Sequence, residues 1–167
     1  YFDKYLYAPN MASKAPNNTA RYVIIGNSGG FPSIQAAWDS LPDVCGEVYF
    51  MVNADVPGTA YLRGKYDSFL AIYGNGGTYN IGNVYAWGMH GRFTDVIMSN
   101  NGDSGSNACQ LYACVLNFER VKFAATGRGV QAFNSCRISM NGCSMTGIGN
   151  SAYMQNSCLS IYGSNIN

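Results

Sequence analysis

Charge is scarce in this sequence. Of its 167 residues ten are Lys or Arg and nine are Asp or Glu, which leaves 11% charged and a formal net charge of +1. That balance gives no electrostatic footprint for nucleic acid or an anionic membrane, and neither is expected as a partner. Long apolar runs are also missing. None approaches the ~18 residues of a membrane-spanning helix, so no membrane insertion is expected. The opening Tyr1-Phe-Asp-Lys-Tyr-Leu-Tyr7 lacks the basic-then-apolar layout of a signal peptide. The chain does not begin with Met and is expected to be a processed or excised piece of a longer protein.

Sets of catalytic residues are equally thin. His90, in Gly88-Met-His-Gly-Arg92, is the only histidine and hence the only candidate base for a Ser/His/Asp arrangement, and no nucleophile elbow accompanies it. Glycine-rich runs such as Gly74-Asn-Gly-Gly77 lack the Lys-Ser/Thr of a phosphate loop and read as turns. A zinc set of His90, Cys109 and Cys114 would rest on one C-x4-C spacing inside a strand pattern, with no second pair to complete it. No metal and no cofactor is expected.

What the sequence does contain is a repeat. Cys114, Cys136 and Cys158 stand 22 residues apart, and neighbouring columns match in size and polarity: Leu116, Ile138 and Ser160; Phe118, Met140 and Tyr162; Val121, Cys143 and Asn165; Asn134 over Asn156. A fixed period in the low twenties marks a solenoid. Cys114-Val-Leu-Asn-Phe118 and Cys136-Arg-Ile-Ser-Met140 alternate with period two, so each repeat carries a short strand with one buried face, while Gly and Asn punctuate the rest. A leucine-rich repeat would need a fixed Leu pattern and a set Asn, which are absent. The fold expected is all-β: a right-handed, single-stranded parallel β-helix. Matching Phe50, Tyr73, Phe93, Phe118, Met140 and Tyr162 gives about six rungs, with the largest insertion near residues 100–107, a natural place for ligand or partner contacts.

Six cysteines, Cys45, Cys109, Cys114, Cys136, Cys143 and Cys158, are an even number, as in a secreted disulfide framework. Three of them fall in one inward column, where free Cys packs as a small hydrophobe; stacked positions one rung apart also lie within disulfide range. The reduced core is the preferred reading.

Residues 1–20 form an aromatic arm and polar linker ahead of the β-helix at 21–167. Tyr1 to Tyr7 is expected to pack on a neighbouring subunit or domain, and Asn17-Asn-Thr19 is formally a glycosylation acceptor. Arg21 to Gly26 reads as a strand and residues 32–41 as a helix with Ile34, Ala37, Trp38 and Leu41 on one stripe; Pro42 ends it. Laid across the first rung, that helix caps the open end of the coil. The run Val23-Ile-Ile-Gly-Asn-Ser-Gly-Gly-Phe-Pro-Ser-Ile-Gln-Ala-Ala-Trp-Asp-Ser-Leu-Pro42, then Glu47-Val-Tyr-Phe-Met-Val52 and Ile72-Tyr-Gly-Asn-Gly-Gly77, resembles the opening of the pectin lyase-like β-helix superfamily. That superfamily includes pectin esterases, phage tailspikes and tail fibres. The resemblance spans roughly residues 21–77 and belongs to the cap, so it bears on fold more than on activity.

Within the superfamily, pectin esterase activity implies a Gln-Asp pair, a second Asp in an apolar strand and a Gly-Arg-Pro-Trp segment, none of which is present. Polysaccharide hydrolysis needs two carboxylates in opposite protonation states. The acids of the repeat region are Asp67, Asp95, Asp103 and Glu119, and the best pair is Asp95 with Glu119; the plainer reading of Asp95 is an ion pair with Arg120 at a turn. Thirteen Tyr, two Trp and eight Phe exceed what a narrow coil buries. Tyr85, Trp87, His90 and Arg92 form the candidate ligand-binding cluster, with a subunit interface as the competing use of the same rings. The function expected is therefore a structural and host-attachment component of a phage tail fibre or tailspike, located in the virion. Its expected partners are two further copies in a homotrimer, other tail proteins at its ends and a bacterial surface polysaccharide. The alternative is a polysaccharide hydrolase or lyase using Asp95 and Glu119.

Overall fold

A computed structural model of the chain describes residues 20–26, 29–100, 106–147 and 152–166, with the side chains of 66–68 left undescribed. The aromatic arm, the acceptor triplet at 17–19, the side chain of Asp67, and the 101–105 part of the inserted loop with Asp103 lie outside the described residues. The chain coils into a parallel β-helix of about five turns, against about six from pattern matching.

Three parallel sheets form the walls. Sheet A has seven strands: Arg21–Ile25, Val44–Val52, Tyr66–Gly74, His90–Thr94, Val115–Glu119, Arg137–Asn141 and Cys158–Tyr162. Sheet C stacks Val96–Ser99, Lys122–Ala125, Ser144–Gly147 and Asn165–Ile166, and sheet B stacks Thr59–Leu62, Cys109–Tyr112, Val130–Phe133 and Ala152–Gln155. The bent strand Tyr79–Trp87 belongs to both, pairing with sheet C through Tyr79 and Asn80 and with sheet B from Asn83 onward. Its bend is at Gly82, where φ is +73° and a Cβ would lie 1.9 Å from the Gly58 carbonyl oxygen, so only glycine fits. The first turn passes from Val44–Val52 in sheet A directly to Thr59–Leu62 in sheet B; from Tyr66 onward each turn runs A, C, B and back to A.

Alternation in the sequence becomes layering in the coil. Phe50, Ile72, Phe93, Phe118, Met140 and Ile161 share one inward column of sheet A. Met98, Phe123, Met145 and Ile166 share one in sheet C, and Val84, Cys109 and Val130 one in sheet B. Phe93, Phe118 and Phe123 touch, with ring centroids 5.4 and 5.1 Å apart along the chain of contacts. Ile161 and Ile166, in the last turn, are exposed and half-buried; burying each of the larger side chains before them contributes ~1.5–3 kcal/mol, so the interior columns outweigh any single surface contact.

The register departs from the expected one in two places. Ile72, not Tyr73, pairs with Phe50 and Phe93; Tyr73 faces outward. In the last turn the period drops by one residue: Asn134 and Asn156 stay aligned, but the corner after Asn156 has one residue fewer than Asn134-Ser-Cys136. Ser157 therefore replaces a cysteine in the column, its hydroxyl accepting from the Cys136 backbone N–H at 3.0 Å, and Cys158 turns outward beside Arg137. The same slip puts Leu159, not Ser160, over Ile138, Ile161, not Tyr162, over Met140, and Ser164, not Asn165, over Cys143. Cys109, Cys114, Cys136, Cys143 and Cys158 are free thiols, the first four buried. Burial pushes the Cys109 and Cys143 thiols up and that of Cys114 up to about 11, which keeps them protonated as packing groups.

The corners turn in one or two residues through the left-handed region. Between sheets A and C that residue is Asp95, Arg120, Gly142 or Gly163, with φ of 54, 52, 60 and 54°. Between sheets B and A it is Gly88, Ala113, Asn134 with Ser135, or Asn156. The cap helix is Ile34–Ser40, with Ser33 as N-cap accepting from Ala36 N–H at 3.1 Å. Its stripe of Ile34, Ala37 and Trp38 is buried, and the Trp38 indole N–H donates to the Arg63 carbonyl at 3.2 Å, which ties the helix to the first turns.

Candidate functional site

Outward residues alternate with the core residues, so each sheet carries its own ladder on its outer face. On sheet A the middle column reads Tyr22, Tyr49, Ala71, Arg92, Asn117, Ser139, Ser160. One flank carries Phe69, His90, Val115, Arg137 and Cys158, and the other Tyr73, Thr94, Glu119, Asn141 and Tyr162. Where the middle column carries smaller side chains, at Ala71 and from Asn117 to Ser160, the surface sinks into a furrow along the coil. Two depressions mark it, of about 550 Å³ between Tyr49 and Arg92 and about 460 Å³ from His90 to Ser160, with Phe69 and Arg92 lining both.

Aromatic rings line the first depression. Tyr22 and Tyr49 stack at 4.8 Å and 16°, Phe69 tilts against Tyr49 at 6.4 Å, and His90 meets Phe69 edge-on at 5.7 Å. The Tyr49 hydroxyl donates to Glu47 at 2.8 Å, and that bond raises the phenol pKa. The guanidinium groups of Arg92 and Arg137 make no hydrogen bond or ion pair with another described residue, although both side chains lie in the furrow.

Sheet B carries the second ladder. Trp87, Tyr112 and Phe133 stack in register at 5.2 and 5.1 Å with planes 4 and 16° apart, and Tyr61 stacks on Tyr85 at 5.1 Å. Arg63 lies 5.5 Å from the Trp87 centroid and 5.9 Å from that of Tyr61. Gln110 and Gln131 extend the Tyr61–Tyr85 column, with Gln110 donating to the Tyr112 hydroxyl at 2.7 Å and Gln131 accepting from Asn107 at 2.6 Å. These rings turn their faces to one another and only their edges outward.

The four clustered candidates thus lie on two walls: Tyr85 and Trp87 on sheet B, His90 and Arg92 on sheet A, with the Gly88–Met89 corner between. Arg92 and His90 join residues that period matching missed, namely Tyr22, Tyr49, Phe69, Ala71, Tyr73, Asn117 and Arg137. A correct register through Tyr73 would have exposed the column.

Asp95 and Glu119 sit at the A-to-C corner on either side of Arg120. Arg120 clasps Asp95 with two bonds of 2.7 Å and also binds Glu119. The hydrogen bond from Arg120 holds the Asp95 carboxyl below its ordinary range, against a smaller opposing effect of burial. A general acid of glycoside hydrolysis needs the opposite displacement. Among the described residues no three His, Cys, Asp or Glu side chains gather as a metal site; His90 is exposed on sheet A while Cys109 and Cys114 are interior. The arrangement can hold an extended ligand against rings, amides and guanidinium groups. Compared with protein-family models, curated proteins and solved structures, the chain matches none; what the structure shows is its architecture, a parallel β-helix.

Proposed function

We propose that this chain is a structural and host-attachment component of a phage tail fibre or tailspike, a stiff β-helical segment that binds a bacterial surface glycan along its outer wall and does not cut it. The observation that carries this reading is the sheet A furrow, where stacked rings and, among the described residues, unpaired hydrogen-bond donors lie along the coil axis while Asp95 and Glu119 at its edge are both held by Arg120. Extended glycans are bound by such a mixture of flat rings and polar groups, and a coil of parallel strands holds them at a fixed repeat. The likeness of the 21–77 segment to the cap of tailspike β-helices supports the virion placement, and assembly with two further copies is part of the same proposal. Sedimentation of the chain at micromolar concentration tests the assembly: a trimer is expected, and a well-behaved monomer refutes it.

Incubation with bacterial surface polysaccharides, followed by polymer sizing and assay of reducing ends, tests the rest. Retention without shortening of the polymer is expected. Shortening that disappears in Asp95→Asn or Glu119→Gln would replace the reading with that of a polysaccharide hydrolase or lyase.

A further inference from the structure

Among the described residues two asparagines precede glycine, in Asn75-Gly76 and Asn141-Gly142. In an Asn-Gly pair the backbone nitrogen can reach the carbonyl carbon of the preceding side-chain amide, because glycine carries no side chain to hinder the approach. The two pairs occupy contrasting places. Asn141 ends the sheet A strand Arg137–Asn141 and is flanked in register by Glu119 and Tyr162. The peptide group that joins it to Gly142 is held at both ends: its carbonyl accepts from the Arg120 N–H at 2.8 Å, and the Gly142 N–H donates to the Tyr162 carbonyl at 3.0 Å.

Asn75 lies beyond the end of Tyr66–Gly74, in the connection 75–78 that leads to Tyr79–Trp87. Asn75 and Gly76 are both exposed, and the peptide group between them makes no hydrogen bond with another described residue. A Cβ placed on Gly76 would meet nothing within 4 Å, so the glycine nitrogen stands in open space. The Asn75 side chain ties two turns together, its amide N–H donating at 2.9 Å to Oδ1 of Asn53, the matching corner one turn earlier. Behind it the corner is tight. A Cβ on Gly74 would lie 2.0 Å from the Gly77 carbonyl oxygen and 2.4 Å from that of Asp95.

We infer that Asn75 is a modification site, at which the folded chain deamidates without an enzyme and passes to isoaspartate. The Gly76 nitrogen attacks Cγ of Asn75 and gives up its proton; the bond from Cγ to the side-chain nitrogen breaks, and ammonia leaves with that proton. The product is a five-membered succinimide. Water then opens the ring at one of its two carbonyls, giving aspartate when it adds at Cγ and isoaspartate when it adds at the backbone carbon. The sum is amide plus water to carboxylic acid plus ammonia, with no oxidant, reductant or cofactor. Either product replaces a donor with a carboxylate, which only accepts and so leaves Asn53 Oδ1 facing another acceptor. Isoaspartate also lengthens the backbone by one atom beside a corner that is already close-packed, so the modified turn is untied from the one before it. The inference holds whatever the sheet A furrow binds.

Ageing the whole chain in mildly alkaline buffer tests the assignment. Peptide mass spectrometry reads the change from amide to acid at each asparagine, and methyl transfer from S-adenosylmethionine by an isoaspartyl methyltransferase reads isoaspartate alone. Asn75 is expected to convert at least about tenfold faster than Asn141, whose peptide group must first leave a paired strand. In guanidinium chloride, where both pairs are equally free, that preference is expected to vanish. The thermal midpoint of the wild type falls with ageing, whereas Asn75→Gln, which keeps an amide but does not close a five-membered ring, starts near the wild-type midpoint, holds it and gains no methyl groups at this position. Conversion of Asn141 as fast as Asn75 in the folded chain, a preference that persists in denaturant, or an unmodified Asn75 after the unfolded chain has converted would each overturn the site. Acid at position 75 without methyl acceptance would overturn the isoaspartate step.

Discussion

Adjacent residues Ile72 and Tyr73 provide the sharpest test of the register, because shifting the strand by one residue would exchange their surroundings. Ile72 is fully buried between Phe50 and Phe93 in the inward column, whereas Tyr73 stands on the outer face with Thr94 as its neighbour. Ile72→Ala removes three carbon atoms from a close-packed interior. The lost transfer energy and the cavity together cost ~2–5 kcal/mol. Tyr73→Ala removes a larger side chain, but one that keeps part of its surface in water, and outward substitutions of this kind cost less than ~1.5 kcal/mol. Urea unfolding followed by far-ultraviolet circular dichroism measures both, with midpoint changes interpretable as stability when the slope stays constant. The smaller residue should therefore give the larger loss. If Tyr73→Ala proves as costly as Ile72→Ala, the strand Tyr66–Gly74 is displaced by one residue.

Two further outcomes follow from the corners and the thiols. Ala113→Gly should stabilise the chain by roughly 0.5–1 kcal/mol in the same unfolding assay, since Ala113 holds φ at 53° where glycine avoids a left-handed cost of about 1–2 kcal/mol, offset partly by the entropy of the unfolded glycine; a loss of stability would place the corner elsewhere. Stability should fall as pH rises from about 9 to about 11, because the unfolded chain releases the Cys114 proton near its ordinary value while burial keeps the folded thiol protonated up to about 11. Below that window both states hold the proton and the contribution is complete; Cys114→Ala should flatten the decline, and an unchanged slope would show that the thiol is not the source.

The coil itself was legible because its interior is repetitive. A side chain that must stack on its counterpart one turn away is confined to a narrow range of size and polarity, so Cys114 over Cys136, Leu116 over Ile138 and Phe118 over Met140 reappear in the structure as paired columns. Ser33, the apolar stripe and Pro42 likewise bound the cap helix within two residues at its start and one at its end. The misses occurred where a corner changed length. A turn can gain or lose one residue at a left-handed corner without disturbing the inward columns, as it does after Asn156, and an alignment of fixed period then carries every later residue to the wrong face. Cys158 and Tyr162 were misplaced for that reason. Tyr73 was chosen over Ile72 because an aromatic matched Phe50 and Phe93 in kind, although either residue satisfied the hydrophobic pattern.

Outer faces escape such constraint, and the candidate site was less legible accordingly. Position 71 is governed by no stacking partner in the core, so an alanine there reads in sequence as one more small residue. Its meaning comes from what flanks it in space, Tyr49 from 22 residues before and Arg92 from 21 residues after, and no local pattern joins them. Tyr85, Trp87, His90 and Arg92 looked like one cluster because they are close in sequence, yet a one-residue corner at Gly88 sends the pairs to different walls. In a coil of this kind sequence neighbours share a site only when they lie on the same strand, and the residues that meet a common ligand are one turn apart. A search for function in such chains therefore begins with the register, and the first thing to look for along each outward column is the interruption: a small residue among large ones, or a charge with no partner in the next turn.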